Sequence, residues 1–152
     1  MTRDFLFIFF LSMLPITELR GAIPLAITQF SLPLLPVLLI SILGNLIPAF
    51  ILLWGLEKLV DWIDRRSEIG HNILKCVFRH TRRRTRIVER YGWIGLMLFV
   101  ALPLPGSGVW TGSIGAFLLG INKKIAFGAI FAGVLIAGIV VSLTTKAVVV
   151  LL

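Results

Sequence analysis

The apolar residues of this chain lie in long stretches that contain almost no charge. Charge-free runs cover residues 21–56, 91–122 and 125–145. Each run is longer than the roughly 20 apolar residues that a membrane-spanning helix needs. The alternation of polar and apolar residues that is typical of a membrane β-barrel is absent from them. The pattern therefore predicts an all-α integral membrane protein.

Two of the apolar stretches are interrupted at their centres by proline and glycine. We call residues 14–24 the first break and residues 102–113 the second break. Proline removes a backbone donor and glycine loosens a helix, so we expect irregular backbone in both. In lipid, such backbone survives only inside protein or beside a wet cavity. Paired interruptions in two halves of a chain indicate the binding site of a transporter.

The same order of elements occurs twice, as a broken segment (5–30 and 92–122) followed by an unbroken helix (33–56 and 124–151). The arms beside each break have about ten residues and reach roughly 15 Å. That is about half of a hydrocarbon core of roughly 30 Å. We therefore expect two inverted repeats, each a re-entrant helical hairpin plus a transmembrane helix. The alternative, with both segments crossing fully, fits the loop charges equally well.

This layout predicts a single membrane domain with repeat 1 at 1–57, a basic linker at 58–91 and repeat 2 at 92–152. Ten of the fifteen Lys and Arg residues lie in that linker, and the formal net charge is +8. A basic run often indicates nucleic-acid binding. In a chain that is 58% hydrophobic, the positive-inside rule instead predicts a cytoplasmic loop of a multi-pass protein in the cell membrane.

The linker has a spacing of its own, because Ile69, Ile73 and Val77 recur every four residues. This predicts a basic amphipathic helix on the cytoplasmic membrane surface, with a plain topogenic loop as the alternative. Attraction to anionic lipid adds roughly 1 kcal/mol for each nearby Lys or Arg. The arginines of the expected anionic-lipid surface are Arg79, Arg82, Arg83, Arg84 and Arg86.

Glu18 and Arg20 lie in the first break, far from either end of its apolar segment. Charged residues at bilayer depth are costly and usually face a cavity or a partner. Glu18 has two candidate roles: it exchanges a proton during turnover or accepts a hydrogen bond from a substrate. Arg20 presents a planar fork that suits phosphate or carboxylate. The alternative is a permanent ion pair that only holds the turn.

The second break has no charge, but it offers hydroxyl groups, an indole and backbone amides freed by glycine. We expect Thr111 or Ser113 to cap the returning arm, whose amides would attract anions. The alternative role is a tight turn that needs proline and glycine for its shape. The predicted substrate and proton site comprises Pro15, Glu18, Arg20, Gly21, Pro103, Pro105, Gly106, Ser107, Gly108, Trp110, Thr111 and Ser113.

Both breaks carry a resemblance to a known family. The segments Glu18-Leu-Arg-Gly-Ala-Ile-Pro24, Leu102-Pro-Leu-Pro-Gly-Ser-Gly108 and Trp110-Thr-Gly112 resemble the putative small multidrug export protein family, which is distantly similar to the DedA superfamily. The resemblance covers nearly the whole chain. It implies two inverted repeats with re-entrant hairpins, and transport or lipid translocation across the cell membrane. By that similarity Glu18 and Arg20 match the acidic and basic positions of the first hairpin.

Together these observations predict a small transporter that translocates an amphiphile, either a lipid phosphate or a drug-like molecule, with possible coupling to protons. The expected partners are membrane lipids, this substrate and further copies of the chain, because so few complete crossings favour a homo-oligomer. A non-transporting scaffold that binds anionic lipid or a partner through the linker is the alternative. We expect no enzyme, no cofactor, no metal site and no nucleic-acid partner.

Overall fold

A computed structural model describes residues 2–66, 68–103 and 106–151, without the side chains of residues 64, 66, 68, 69 and 71. This part of the chain is all-α, as the apolar pattern predicts. Its seven helices are α1 (Thr2–Met13), α2 (Glu18–Thr28), α3 (Leu34–Arg66), α4 (Glu68–Arg84), α5 (Arg86–Ala101), α6 (Val109–Leu118) and α7 (Lys123–Leu151).

Two helices are long and apolar enough to cross a membrane, namely Leu34–Ile63 of α3 and Lys123–Leu151 of α7, with mean hydropathies of 2.4 and 2.5. Helix α3 runs beyond the predicted end at residue 56 because no proline or glycine follows before Arg66. Helices α1, α2 and α6 have only 12, 11 and 10 residues. They reach about 15 to 18 Å, which is about half of a hydrocarbon core of roughly 30 Å.

The short helices pack around the two long helices in matching ways. Helices α1 and α2 both contact α3, and α2 also reaches α7. Helices α5 and α6 both contact α7, and α6 also reaches α3. We call α1–α2 the first helix pair and α5–α6 the second helix pair. Each pair therefore contacts both long helices, which also contact each other.

Three small residues that recur every four positions along one face of α7 are buried. Ala129, Gly133 and Ala137 all lie in helix contacts. A Cβ atom at Gly133 would overlap the carbonyl oxygen of Met97 in α5. In lipid, helices associate through such close packing and not through a hydrophobic driving force. Gly133 on this face therefore allows α7 to pack closely against α5.

The outer surfaces of the two long helices are apolar. Leu35, Leu39 and Leu43 recur along α3 with 67%, 54% and 59% of their surface exposed. On α7, Ile139 and Leu143 are likewise exposed. A soluble monomer rarely leaves such rows of large apolar side chains in water. These rows suit contact with lipid.

The basic linker is helical, and the end of α4 packs against the second helix pair. Thr81 and Thr85 are 3% and 1% exposed, and a Cβ atom at Gly115 of α6 would overlap the methyl group of Thr85. The hydroxyl of Thr85 donates to the carbonyl oxygen of Thr81 at 3.0 Å, so the threonine enters the interface with its donor satisfied. After α5 begins, the chain kinks at Gly92, where φ is 57°.

This docking differs from a helix that lies wholly on a membrane surface. Ile73 and Val77 of the predicted apolar stripe are 59% and 38% exposed, and the side chain of Ile69 lies outside the described residues. The stripe therefore does not hold α4 on the protein. Contacts with α6 do so instead: the ring of Phe78 lies 6.2 Å from the ring of Phe117, and Gly115 leaves a groove that fits the methyl group of Thr85.

Candidate functional site

The first break is much shorter than predicted. Its turn covers residues 14–17, and α2 begins directly at Glu18. The prediction of irregular backbone as far as Pro24 is therefore wrong, and Arg20 and Gly21 lie in the first turn of a helix. Pro24 lies within α2, where its missing N–H leaves the carbonyl of Arg20 without its helical donor. One such loss is tolerated because the flanking residues supply the other helical bonds.

The second break is also shorter than predicted at its C-terminal end. Helix α5 ends at Ala101, and α6 begins at Val109 with Gly108 as its N-cap residue. Thr111 and Ser113 consequently lie inside α6, so the prediction that one of them caps it is wrong. The extended backbone at Gly108, with φ −148° and ψ −168°, brings the chain to the helix start without a side chain of its own.

Glu18 supplies the cap that glycine cannot. It is 6% exposed, and its carboxylate accepts hydrogen bonds from the backbone N–H groups of Val109 and Trp110, the first two residues of α6. These are among the N–H groups that a helix leaves without internal partners. A Cβ atom at Gly108 would overlap both carboxylate oxygens. Glycine at this position is therefore required for the close approach of Glu18.

The backbone of Glu18 is strained in order to reach this position. Its φ angle is 47°, in the left-handed region that L residues other than glycine seldom adopt. The conformation costs roughly 1 to 2 kcal/mol. Such strain persists where the surrounding structure enforces it, most often at functional sites. Here the hydrogen bonds to the start of α6 are the interactions that oppose this strain.

Arg20 binds the other side of the second break, at the end of α5. Its Nη2 atom donates to the carbonyl oxygens of Val100 at 2.8 Å and Leu102 at 2.7 Å, and its Nη1 atom donates to the hydroxyl of Ser107 at 3.4 Å. Both carbonyls belong to the end of α5, where carbonyl groups lack helical donors. The Ser107 hydroxyl also donates to the carbonyl of Leu102 at 2.8 Å. Arg20 therefore ties the first helix pair to the end of α5.

The second helix pair returns a contact to the first. The indole Nε1 of Trp110 donates to the carbonyl oxygen of Met13 at 3.0 Å, and Met13 is the last residue of α1. Thr17 donates to the carbonyl oxygen of Leu11 at 2.6 Å, which satisfies a second acceptor of the same helix end. Thr17 in the first turn and Trp110 at the start of α6 thus both satisfy carbonyl groups at the end of α1.

The signs of the two charges match the helix ends that they contact. A helix carries about half a positive charge at its N-terminus and half a negative charge at its C-terminus. The acid Glu18 lies at the start of α6, and the base Arg20 lies at the end of α5. The two residues therefore recognise the opposite polarities of the second break, which has no charged side chain of its own among the described residues.

A cavity of about 400 Å³ lies between the two turns. Both helix pairs contribute to its wall. The predicted site residues in the wall are Pro15, Glu18, Arg20, Gly21, Pro103, Gly106, Gly108 and Thr111. Ile16 and Thr17 also line it and were not predicted. In the sequence they lie between Pro15 and Glu18, and this position alone could have indicated that they line the site.

The remaining predicted site residues lie around the cavity or beyond it. Ser107 and Trp110 make the hydrogen bonds given above and hold the turns in place. Ser113 is 0% exposed, and its hydroxyl has no hydrogen-bond partner within the described part of the chain. Pro105 lies outside the described residues. The geometry thus brings the charged and glycine positions together and assigns supporting contacts to Ser107 and Trp110.

Two of the other cavities are lined by charged side chains. The first, of about 310 Å³, is lined by Arg79, Arg82, Arg83, Arg86 and Glu89 at the junction of α4 and α5. The second, of about 600 Å³, lies beside Trp54 and an exposed ion pair between Lys123 and Glu57 at 2.9 Å. It is the larger of these spaces, but none of its lining residues belongs to either break. Among the described residues no three His, Cys, Asp or Glu side chains converge as metal ligands would.

These features define a class: a small helical membrane protein with a charged cavity between two helix pairs. The match to known proteins makes the assignment specific. Residues 18–140 match the model of a family described as "Putative small multi-drug export protein". The match covers most of the chain, from Glu18 through both breaks and into α7, so the chain belongs to this family. No curated protein and no solved structure matches it.

Proposed function

We propose that this protein is a small transporter that moves an amphiphile, either a lipid phosphate or a drug-like molecule, through the cavity between its helix pairs. The observation that carries the proposal is the position of that cavity, which is bounded by Glu18 and Arg20 and by helices too short to cross. A charge at bilayer depth costs at least about 2.5 kcal/mol and normally faces a cavity or a partner. The description of the family as export proteins agrees with this role. Transport of this kind requires no covalent chemistry.

The proposal includes a topology in the cytoplasmic membrane. The two helix pairs are re-entrant hairpins that enter from opposite faces, and the two halves are inverted repeats. Support comes from the lengths of α1, α2 and α6 and from the matching contacts of the pairs with α3 and α7. The ten basic residues between Lys58 and Arg90 support a cytoplasmic position of the linker under the positive-inside rule.

Single-cysteine labelling tests this topology. Cys76→Ser provides the background, and Thr2, Lys123 and Leu151 are replaced in turn by cysteine. We expect an impermeant maleimide added outside intact cells to label positions 2 and 151 but not position 123. The reverse pattern would mean that both broken segments cross fully, and the re-entrant arrangement would be wrong.

Transport is tested with the protein in vesicles and a fluorescent amphiphile. Glu18→Gln keeps an oxygen that can accept from the α6 amides but removes the charge, so we expect transport to fall about tenfold or more while the protein stays folded. Glu57→Gln, at an exposed acid, is the matched control and should transport normally. Normal transport by Glu18→Gln, with only a lower unfolding temperature, would make Glu18 a purely structural residue.

Coupling to protons is the finer part of the proposal. If Glu18 exchanges a proton in each cycle, a proton gradient across the vesicle should accelerate uptake by the unmodified protein. Glu18→Gln should retain some downhill exchange but lose the response to the gradient. An equal response in both proteins would leave transport in place and exclude Glu18 as the coupling residue.

A second candidate function rests on the arginine-lined cavity at the start of α5. Four arginines around about 310 Å³ suit the phosphate of an anionic lipid, and such binding would let the protein act as a membrane scaffold without transport. Replacing Arg82 and Arg83 by Gln should then release anionic lipid that copurifies with the protein. Replacing Lys123 and Lys124 is the control. Unchanged lipid content in the arginine variant would contradict this function.

The proposed assembly is a homo-oligomer. Within the described part of the chain, only α3 and α7 are long enough to cross, and two crossings enclose little space unless another copy completes the wall. Chemical cross-linking in native membranes, followed by mass measurement of the detergent-solubilised protein, should give a discrete multiple of 16.9 kDa. A monomer by both methods would contradict the assembly.

A further inference from the structure

A third charged side chain reaches the second break from outside the two helix pairs. Arg84 is the last residue of α4, and its guanidinium lies directly against Gly106. A Cβ atom at Gly106 would overlap the Nη1 atom of Arg84 and come within 2.9 Å of its Cζ atom. The φ angle of Gly106 is 80°, which L side chains rarely adopt. Glycine is therefore needed here both for the turn and for the approach of Arg84.

This contact changes the charge beside the cavity. Gly106 is part of the cavity wall, together with Glu18 and Arg20, whose formal charges cancel. Arg20 is engaged by the end of α5 and Glu18 by the start of α6. Arg84, separated from the cavity by one glycine, adds a positive charge. Glu18 and Arg20 in the wall and Arg84 behind Gly106 together carry one net positive charge, which complements a single oxyanion.

Arg84 is also held in place and surrounded by positive charge. The buried Thr85 next to it packs against Gly115 of α6, so the backbone at the end of α4 is docked, while the side chain of Arg84 remains exposed. The neighbouring arginines of α4 and α5 surround a separate cavity. Their summed field attracts anions toward this face of the protein and raises the rate of encounter.

On the basis of the proposed transport function, we propose that Arg84 recognises an oxyanion carried by the amphiphile at Gly106. The linker thereby supplies the residue that decides substrate charge, although it lies outside both breaks. A guanidinium matches phosphate and carboxylate oxygens through two parallel hydrogen bonds. The substrate class that this geometry selects is an amphiphile with an anionic head.

Binding is measured first, because it does not depend on transport. The detergent-solubilised protein is unfolded by heat in the presence of dodecyl phosphate, dodecyltrimethylammonium or inorganic phosphate. We expect dodecyl phosphate to stabilise the unmodified protein most, because a ligand that binds the folded state raises its unfolding temperature. Arg84→Gln should weaken the apparent affinity for dodecyl phosphate about tenfold, the loss of one charged hydrogen-bonding partner, and leave the cationic probe unaffected.

Arg90→Gln is the matched control, because Arg90 is a neighbouring exposed arginine that contacts the ring of Tyr91 and lines neither cavity. It should bind dodecyl phosphate as the unmodified protein does. Equal weakening by both substitutions would reduce the effect to general charge and overturn the proposal. Equal stabilisation by inorganic phosphate would overturn the amphiphile assignment, since the apolar tail would contribute nothing.

Two further variants and a transport assay separate this proposal from the transport proposal. Gly106→Ala should displace the guanidinium and lose the same anion preference, and Arg84→Lys should recover only part of it. In vesicles, an anionic and a cationic probe with the same tail are compared. Arg84→Gln slowing both probes equally would overturn the role of Arg84 and leave transport standing. If binding depended on Arg84 but the unmodified protein transported neither probe, the role of Arg84 would stand and the transport proposal would be wrong.

Discussion

The first helix pair carries both formal charges of the site, whereas the second helix pair presents the backbone ends of two helices. The first turn is short and holds Glu18 in a strained conformation. The second is longer and leaves a C-terminal and an N-terminal helix end facing Arg20 and Glu18. The comparison shows that the two charges act on separate helix ends. A mutual ion pair is therefore not needed to explain why they are buried.

Exchanging the two charges distinguishes these explanations and has the largest expected effect. In Glu18→Arg/Arg20→Glu, an ion pair would be restored, but each charge would face a helix end of its own sign. Loss of both sets of hydrogen bonds should destabilise the fold by at least about 3 to 5 kcal/mol. The measurement is the unfolding temperature and the monodispersity of the purified variant.

The control for this exchange is the double variant Glu57→Lys/Lys123→Glu, which reverses an exposed ion pair. It should fold normally, because exposed pairs contribute at most about 1 kcal/mol. A stable, monodisperse Glu18→Arg/Arg20→Glu protein would show that an ion pair is sufficient, and the helix-end account of the site would be wrong.

The second helix pair differs from the first in that the end of α4 docks on it. An engineered disulfide tests this contact. The Cβ atom of Thr85 lies 3.3 Å from the position of a Cβ atom at Gly115, close to the separation of about 3.5 to 4.5 Å in disulfides. In a Cys76→Ser background, Thr85→Cys/Gly115→Cys should oxidise readily. The closed loop should add up to about 3 kcal/mol of stability, measured by unfolding with and without reductant.

The control pair places the second cysteine where α4 does not dock. Thr85→Cys combined with Gly128→Cys should not cross-link within one chain, because Gly128 has no neighbouring atoms within 4 Å of a Cβ position. Equal oxidation of both pairs would indicate a mobile linker, and the proposed role of Arg84 would lose its structural basis.

The sequence could predict the long helices because α3 and α7 contain long apolar runs without charged residues, at 34–56 and 125–145. Clusters of proline and glycine also located both breaks, and Glu18 and Arg20 stood out because charge is rare there. The extent of each break could not be predicted. Pro24 is a helix breaker by propensity, yet tertiary contacts keep it inside α2.

Contacts between distant segments were also beyond prediction. Nothing local to Glu18 indicates that it caps a helix whose first residue is Val109, because capping patterns are read within one helix. Arg84 looks like each of its arginine neighbours in the linker. Only the packing of the folded chain distinguishes Arg84 from the other arginines, because Thr85 docks on α6 and Arg84 then lies against Gly106.

A substitution of Gly108 tests how closely the first helix pair must approach the second. Gly108→Ala places a methyl group where the Glu18 carboxylate lies, so the cap must move away from α6. We expect a loss of about 1 to 3 kcal/mol in the free energy of unfolding. Gly128→Ala, in an open position of α7, should instead stabilise by about 0.5 to 1 kcal/mol. An equal response of both variants would mean that Glu18 does not need this contact.

The return contact from the second helix pair should have the smallest effect. Trp110→Phe keeps an aromatic ring but removes the donor to the carbonyl of Met13. The expected cost is about 1 kcal/mol, the net value of one neutral hydrogen bond, measured as a lower unfolding temperature. Trp93→Phe, at a position that is 53% exposed, is the control and should change stability less. The contact between Trp110 and Met13 involves no charge. If Trp110→Phe lowered the stability as much as the charge exchange does, the first helix pair would depend on the second for more than the contacts of Glu18 and Arg20.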